Sequence, residues 1–135
     1  MGLCPRPSEI EAEHVAAYEG FLAWVHKHDV VPYVVEQLSV NEKDGYTGTP
    51  DALVQYVDGR LVLVDLKFTS AILRLNRVQV QAYSKLDGFT RAQKLILLHI
   101  NPLTGEWEEI EVKHNPRDWA AFRSALSIYQ WRIAA

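Results

Sequence analysis

Asp51-Ala52-Leu53-Val54-Gln55-Tyr56-Val57-Asp58-Gly59-Arg60-Leu61-Val62-Leu63-Val64-Asp65-Leu66-Lys67 reads as two strands folded back on each other about a tight turn. Asp58-Gly59 is a strong two-residue hairpin signal and predicts a type I′ turn. The strands are expected over Thr49–Val57 and Arg60–Phe68. Leu61 to Val64 is apolar at every position, which predicts a central strand covered on both faces. A two-residue turn pairs positions whose numbers sum to about 117. That aligns Asp51 with Leu66 or a near neighbour and sets it beside both Asp65 and Lys67.

Working outward, Ser8-Glu9-Ile10-Glu11 has the layout of a capping box. Ile10, His14, Ala17, Tyr18, Phe21, Leu22 and Val25 follow at helical spacing, predicting a helix from Ser8 to His28 that Pro32 ends. Tyr33–Val40 reads as a strand and Asn41–Gly45 as a turn. Beyond the hairpin, Leu73–Leu86 has helical periodicity and stops at Asp87-Gly88. Lys94–Ile100 and Glu106–Val112 read as strands joined by the turn 101–105. Asn115-Pro116 opens a last helix with an apolar stripe of Trp119, Phe122, Leu126 and Tyr129. The order α-β-β-β-α-β-β-α predicts an α/β (α+β) domain, a mixed sheet flanked by helices.

The chain has 135 residues, which predicts one domain over residues 1–135 with its own core. An apolar fraction of 48% and a charged fraction of 23% belong to an ordinary globular protein. No apolar run approaches a membrane span. Met1-Gly2-Leu3-Cys4-Pro5 lacks the layout of a secretory signal, so the expected location is cytoplasmic. Cys4 is the sole cysteine, which excludes an intrachain disulfide and a cysteine metal cage. The net charge of −3 hides an asymmetry: residues 1–51 carry −6 and residues 67–94 carry +5. The basic block begins where the candidate chemistry sits.

Strand side chains alternate, so Asp65 and Lys67 share one face and Leu66 takes the other. Taken alone, they would read as a strand-end ion pair. Asp51 adds a second carboxylate at the same place. Charges set in an apolar strand need compensation, and a cation is the natural partner. Two carboxylates and the Leu66 carbonyl are hard oxygen ligands suited to Mg²⁺ or Mn²⁺. Such an ion polarises a phosphate and lowers the pKa of a bound water, and Lys67 is placed to assist.

Pro50-Asp51, a spacer and Asp65-Leu66-Lys67 resemble the signature of the PD-(D/E)XK nuclease superfamily. The order from Ser8 to Ile100 is similar to that family's restriction-endonuclease-like αβββαβ core, with one extra C-terminal strand and helix. Gln79-Val80-Gln81-Ala82-Tyr83 resembles the Gln-x-x-x-Tyr motif of the RecB-like branch, and Gln79 and Tyr83 share a helix face. Thr69-Ser70 after the lysine, and Gly48 before the hairpin, strengthen the likeness.

The resemblance implies a metal-dependent deoxyribonuclease with Asp51, Asp65 and Lys67 catalytic. Asp51, Asp65 and Leu66 would hold the metal, completed by Glu36 on the first strand or by Glu19 on the first helix. Gln79 and Tyr83 would contact substrate. The partner implied is DNA, in replication, recombination or repair, often phage-encoded. Assembly into a homo-oligomer or onto a partner protein is also implied. A catalytically silent nucleic-acid-binding or docking module of the same fold is the alternative, and a structural subunit a third.

The remaining polar and aromatic residues have their own expectations. Arg74, Arg77, Lys85 and Arg91 are expected to hold phosphates. His14 is expected to pack in the core, and His99 and His114 show no partner pattern. Trp119 fits the core, and Trp24, Trp107 and Trp131 are interface candidates.

Overall fold

A computed structural model of the chain describes residues 10–134. Cys4 and the Ser8 cap lie outside them. Glu11 is extended and precedes a 3₁₀ turn at Ala12–His14, which leads into helix α1, Val15–His28. The helix therefore begins later than its capping pattern predicts, because Glu11 has left the helical conformation. It ends at Asp29, in the left-handed region at φ 48°, before Pro32 is reached. Pro32 lies inside strand β1, Val31–Val35, which tolerates it as an edge strand.

The strand expected over Tyr33–Val40 breaks at Glu36, whose φ is 47°. It is replaced by β1 and a short strand β2, Ser39–Asn41. The second expected strand, Thr49–Val57, shortens to β4, Ala52–Gln55, and a further strand, β3, Tyr46–Gly48, forms before the expected start, with Thr49, Pro50 and Asp51 between them. β2 and β3 form a separate two-stranded ribbon. β5, Leu61–Lys67, follows as expected. Then come helix α2, Arg74–Tyr83, strands β6, Lys94–Ile100, and β7, Trp107–Glu111, and helix α3, Pro116–Ala134. Asn115 Oδ1 caps α3 by accepting from the Arg117 N–H at 2.9 Å.

The main sheet is mixed, in the order β1-β4-β5-β6-β7. All its pairs are antiparallel except β5–β6, which α2 connects as a crossover. Helices pack on both faces. Phe21, Trp24 and Val25 of α1 cover Val54, Val62, Val64, Ile96 and Leu98. On the opposite face, Val80 of α2 packs on Leu97, while Leu86 and Phe89 pack on Leu53 and Leu63. β5 is buried on both sides, which is why its apolar run does not alternate.

The hairpin register departs from the expected one. Ala52 faces Val64 and Leu53 faces Leu63, one position from the expected alignment. The turn has three residues: the Tyr56 N–H donates to Arg60 O, the Gly59 N–H donates to Tyr56 O, and Gly59 has φ 88°. Asp58 has no positive φ, so the type I′ turn is excluded. Glycine at the third position lets a type I turn close the hairpin.

The apolar packing of α3 lies in its first half, and in its second half Gln130 Nε2 donates to Asp44 O and Gly45 O of the ribbon turn. Trp119 and Phe122 meet Tyr46, and Lys85 sits over the Trp119 ring at 4.7 Å. The stripe ends at Leu126, and Tyr129, Ile128, Trp131 and Ile133 are exposed. Trp24, an interface candidate from its sequence, is 1% exposed and belongs to the core. Among the described residues, no helix is long and apolar enough to cross a membrane.

Candidate active site

The chain bends at Pro50-Asp51 just before β4, and β5 continues past the start of β4 to Lys67. This leaves the last residues of β5 without a strand neighbour on the β4 side. Asp51 fills the gap: its Oδ2 accepts the Leu66 N–H at 2.7 Å. A strand residue's N–H and C=O point to the same side, so the Leu66 carbonyl also faces the Asp51 edge.

Asp65 is 3% exposed, on the face that carries α2. Lys67 Nζ lies 3.0 Å from Asp65 Oδ2, yet that oxygen receives no hydrogen bond. The pair is held by charge without alignment. Burial raises the Asp65 carboxyl to about 6; Lys67 opposes the rise and the Asp51 carboxylate adds to it. A buried carboxylate oxygen without a donor, beside a second carboxylate, fits a hard cation.

α2 supplies the other wall. Lys67 Nζ donates to Gln79 Oε1 at 3.0 Å, and Gln79 Nε2 donates to the Tyr83 hydroxyl at 3.0 Å. Lysine can only donate, so the amide must turn its oxygen to Lys67 and its nitrogen to Tyr83. Tyr83 accepts there, which leaves its own proton available to another acceptor. Burial raises the Tyr83 pKa, with Gln79 opposing and the charges of Asp65 and Asp51 adding to the rise, so the group stays a phenol at neutral pH. Gly48 makes room for this ring: a Cβ there would sit 2.9 Å from Tyr83 Cε1.

Glu36 follows β1, and its backbone N–H donates to Asp51 O at 3.0 Å. Its exposed side chain lines the same cleft as Asp51 and Leu66. Glu19 lines a different groove, with Thr104, Gly105 and Trp107. The structure thus puts Glu36, not Glu19, on the wall of the cleft that Asp51 lines, from beyond the strand in which it was expected, but its carboxylate does not converge with those of Asp51 and Asp65. Arg74 and Arg77 are exposed on α2. Lys85 lies over Trp119, and Arg91 lies over Tyr33 at 4.7 Å.

Two depressions flank the strand end. One, of about 610 Å³, opens between α1 and the sheet and is lined by Tyr18, Phe21, Phe68, Glu36 and Asp51. The other, of about 460 Å³, lies between α2, α3 and the ribbon and is lined by Tyr46, Leu75, Gln79, Tyr83 and Phe122. The larger is mostly apolar, and the polar chain of Lys67, Gln79 and Tyr83 stands on the other face. The chemistry therefore belongs to the ridge between them.

His14 is exposed rather than packed, because the 3₁₀ turn rotates it off the apolar face. It lies 3.3 Å from Glu13 and 3.9 Å from Glu11. Among the described residues, three or more metal-ligating side chains converge at this exposed group, Glu11, Glu13 and His14. Two residues without a sequence pattern acquire partners. His99 sits opposite Lys67 in the β5–β6 register, and Glu109 gathers donors from Trp24 and Tyr56. Strand adjacency, which local spacing does not reveal, creates both arrangements.

Neither a protein-family model nor a curated protein matches the chain. Among solved structures, one described as "Crystal structure of SSO0001" is similar, with a TM-score of 0.50 and 18% sequence identity over 94% of this chain. The chain spans 61% of the length of that structure. At that identity the likeness concerns the fold alone: an α+β domain with a mixed five-stranded sheet flanked by helices.

Proposed function

We propose that this chain is a Mg²⁺- or Mn²⁺-dependent nuclease that hydrolyses DNA phosphodiester bonds. We place it with the restriction-endonuclease-like αβββαβ core of the PD-(D/E)XK superfamily, in the RecB-like branch. The observation that carries the reading is the strand end itself. Asp51, bonded to the Leu66 N–H, and Asp65, with an unbonded buried oxygen, stand beside Lys67. The order α1-β1-β4-β5-α2-β6 supports the core assignment, with the β2–β3 ribbon as an excursion before β4.

The residues that would hold the ion are Asp51, Asp65 and the Leu66 carbonyl, with Glu36 at the cleft wall. Bound there, a divalent cation supplies charge neutralisation for a phosphate and acidifies a coordinated water. The protein does the rest. Lys67 presents an ammonium, fixed by Asp65 and Gln79, where it can orient a water or stabilise charge developing on phosphorus. Tyr83 holds Gln79 and offers its remaining proton to a phosphate oxygen. Arg74 and Arg77, exposed on the same helix, suit backbone phosphates, which need charge rather than fixed geometry. Depressions on both sides of the ridge allow a polymer to run across the carboxylates.

The test is cleavage of labelled single- and double-stranded DNA with Mg²⁺ or Mn²⁺ and an EDTA control. The wild type is compared with Lys67→Ala and Asp65→Asn. Metal-dependent cutting lost in both variants supports the site. A wild type that binds DNA and cuts neither substrate replaces this reading with the silent binding module.

A further inference from the structure

His99 stands on β6 at the position paired with Lys67 of β5 and with Glu108 of β7. Its Nε2 lies 2.5 Å from the Thr69 carbonyl oxygen, and its Nδ1 lies 3.2 Å from Glu108 Oε1. Neither partner has a hydrogen to give: one is a backbone carbonyl, the other a carboxylate. Each ring nitrogen must therefore donate. A neutral imidazole has one N–H and satisfies only one of these contacts; the imidazolium satisfies both. The ring is 16% exposed, so water replaces a lost partner poorly.

We propose that His99, as an imidazolium, is a positioning residue that ties the segment leaving β5 to β6 and β7 and thereby fixes Lys67 and Phe68. The proposal rests on the nuclease reading for its effect on turnover. Thr69 is two residues beyond Lys67, and the segment is folded on itself by Thr69 Oγ1 donating to Ala71 O at 2.8 Å. Phe68 lines the larger cleft and Lys67 the ridge, so one clamp at Thr69 sets the exit direction of both. A loosened clamp would let the Lys67 backbone swing while Gln79 still restrains its tip. Displacements near 1 Å at a reacting group cost up to about a hundredfold in rate.

On the face of His99, the charged residues of the packed strands are Asp65 and Lys67 on β5 and Glu108 on β7, and α2 adds the exposed Arg74 and Arg77. Of these, Glu108 is the one that contacts the ring. The Thr69 carbonyl holds the His99 pKa above its usual value, with Glu108 assisting and burial opposing. The clamp is complete below the ordinary histidine range and is lost as pH rises through the raised value.

The test has two arms on the full chain. Nitrogen-resolved NMR of the imidazoles, with His99 assigned by its loss in His99→Gln, reads protonation directly. Followed over a range of pH, both ring nitrogens are expected protonated up to a midpoint above that of an ordinary histidine. A midpoint at or below the ordinary value overturns the proposal, whether or not the chain cuts DNA. In the second arm, amide exchange over residues 68–73 and cleavage kinetics compare wild type, His99→Gln and His99→Arg. Expected are faster exchange and a roughly tenfold lower kcat with little change in KM for His99→Gln. Partial recovery and a flatter alkaline limb are expected for His99→Arg, which keeps charge and donors. Unchanged exchange in a folded His99→Gln also overturns it. A wild type that cuts nothing, with a protonated ring and altered exchange, sinks the nuclease reading and leaves the clamp standing.

Discussion

Lys67 Nζ lies 3.0 Å from Asp65 Oδ2 without hydrogen-bonding it. The lysine amine is directed instead to Gln79. Asp65 thus keeps a buried charge that the folded chain compensates poorly, and burial lifts its carboxyl to about 6. Between about pH 4 and 6 the unfolded chain has released this proton and the folded chain has not, so stability falls as pH rises through that window.

Asp65→Asn removes that cost. In EDTA, the variant is expected to gain on the wild type from pH 4 to 6, by on the order of 2 kcal/mol, and to hold the gain above pH 6. Added Mg²⁺ should reverse the ranking, because only the wild type retains both ligands. Urea unfolding at several pH values, with and without Mg²⁺, measures both effects. A wild type more stable than the variant in EDTA at pH 7 would contradict the geometry.

Gly48 adopts no unusual backbone, so its role is steric. A methyl group there meets Tyr83 Cε1 at 2.9 Å and Leu86 Cδ1 at 3.1 Å. Leu86 is fully buried and cannot move easily, so the Tyr83 ring shifts. Gly48→Ala should cost about 1 kcal/mol of stability, while turnover falls about tenfold through the displaced Tyr83 and Gln79. Tyr83→Phe removes only the hydroxyl and supplies the comparison. If Gly48→Ala cuts DNA as fast as the wild type, the Tyr83 wall has no part in turnover.

Much of this site is written in local pattern. The apolar run of β5 betrays a strand buried on both faces, and Gln79 and Tyr83 are one helical turn apart. Asp51 and Asp65 were brought together by a hairpin whose register was one residue from the expected one. A longer turn supplied the difference. The break at Glu36 was not legible, because a left-handed glutamate inside a Val-rich run carries no composition signal. The exposed end of α3 was equally hidden: its periodicity continues past Leu126, but there the polar Gln130 meets the ribbon turn while Tyr129 stays exposed. The partners of His99 and Glu109 come from strands and helices distant in sequence, which spacing cannot join.

Gly20 of α1 and Gly105 of the β6–β7 turn meet backbone to backbone. A Cβ on Gly20 would lie 2.1 Å from Gly105 O. Gly105, at φ 77°, has Ala16 O where its own Cβ would stand. Alanine is the better helix former by about 1 kcal/mol, but neither backbone can yield, and overpacking costs up to about 3 kcal/mol. Gly20→Ala should therefore lose about 2 kcal/mol net. A denaturant midpoint equal to or above that of the wild type would show that α1 does not approach the turn so closely.

Glu109 of the edge strand β7 joins α1 to Tyr56, just past the end of β4. Its Oε1 accepts from Trp24 Nε1 and from the Tyr56 hydroxyl, both at 2.7 Å, and His28 Nε2 stands 2.7 Å away outside hydrogen-bond alignment. Burial works against its ionisation. The bonds from Tyr56 and Trp24 and the charges of His28 and Lys94 outweigh it and hold the carboxyl below its usual range. Its contribution is therefore present above the ordinary glutamate pKa and is lost as pH falls through the lower folded value. Glu109→Ala leaves two donors unmatched and should cost about 3 kcal/mol at pH 7. Glu109→Gln still accepts but cannot titrate, so it should flatten the acid side of the stability profile below about pH 4. Trp24 fluorescence during urea unfolding at stepped pH reports both. An acid limb identical in Glu109→Gln and wild type would mean that another carboxylate, and not this one, governs acid unfolding.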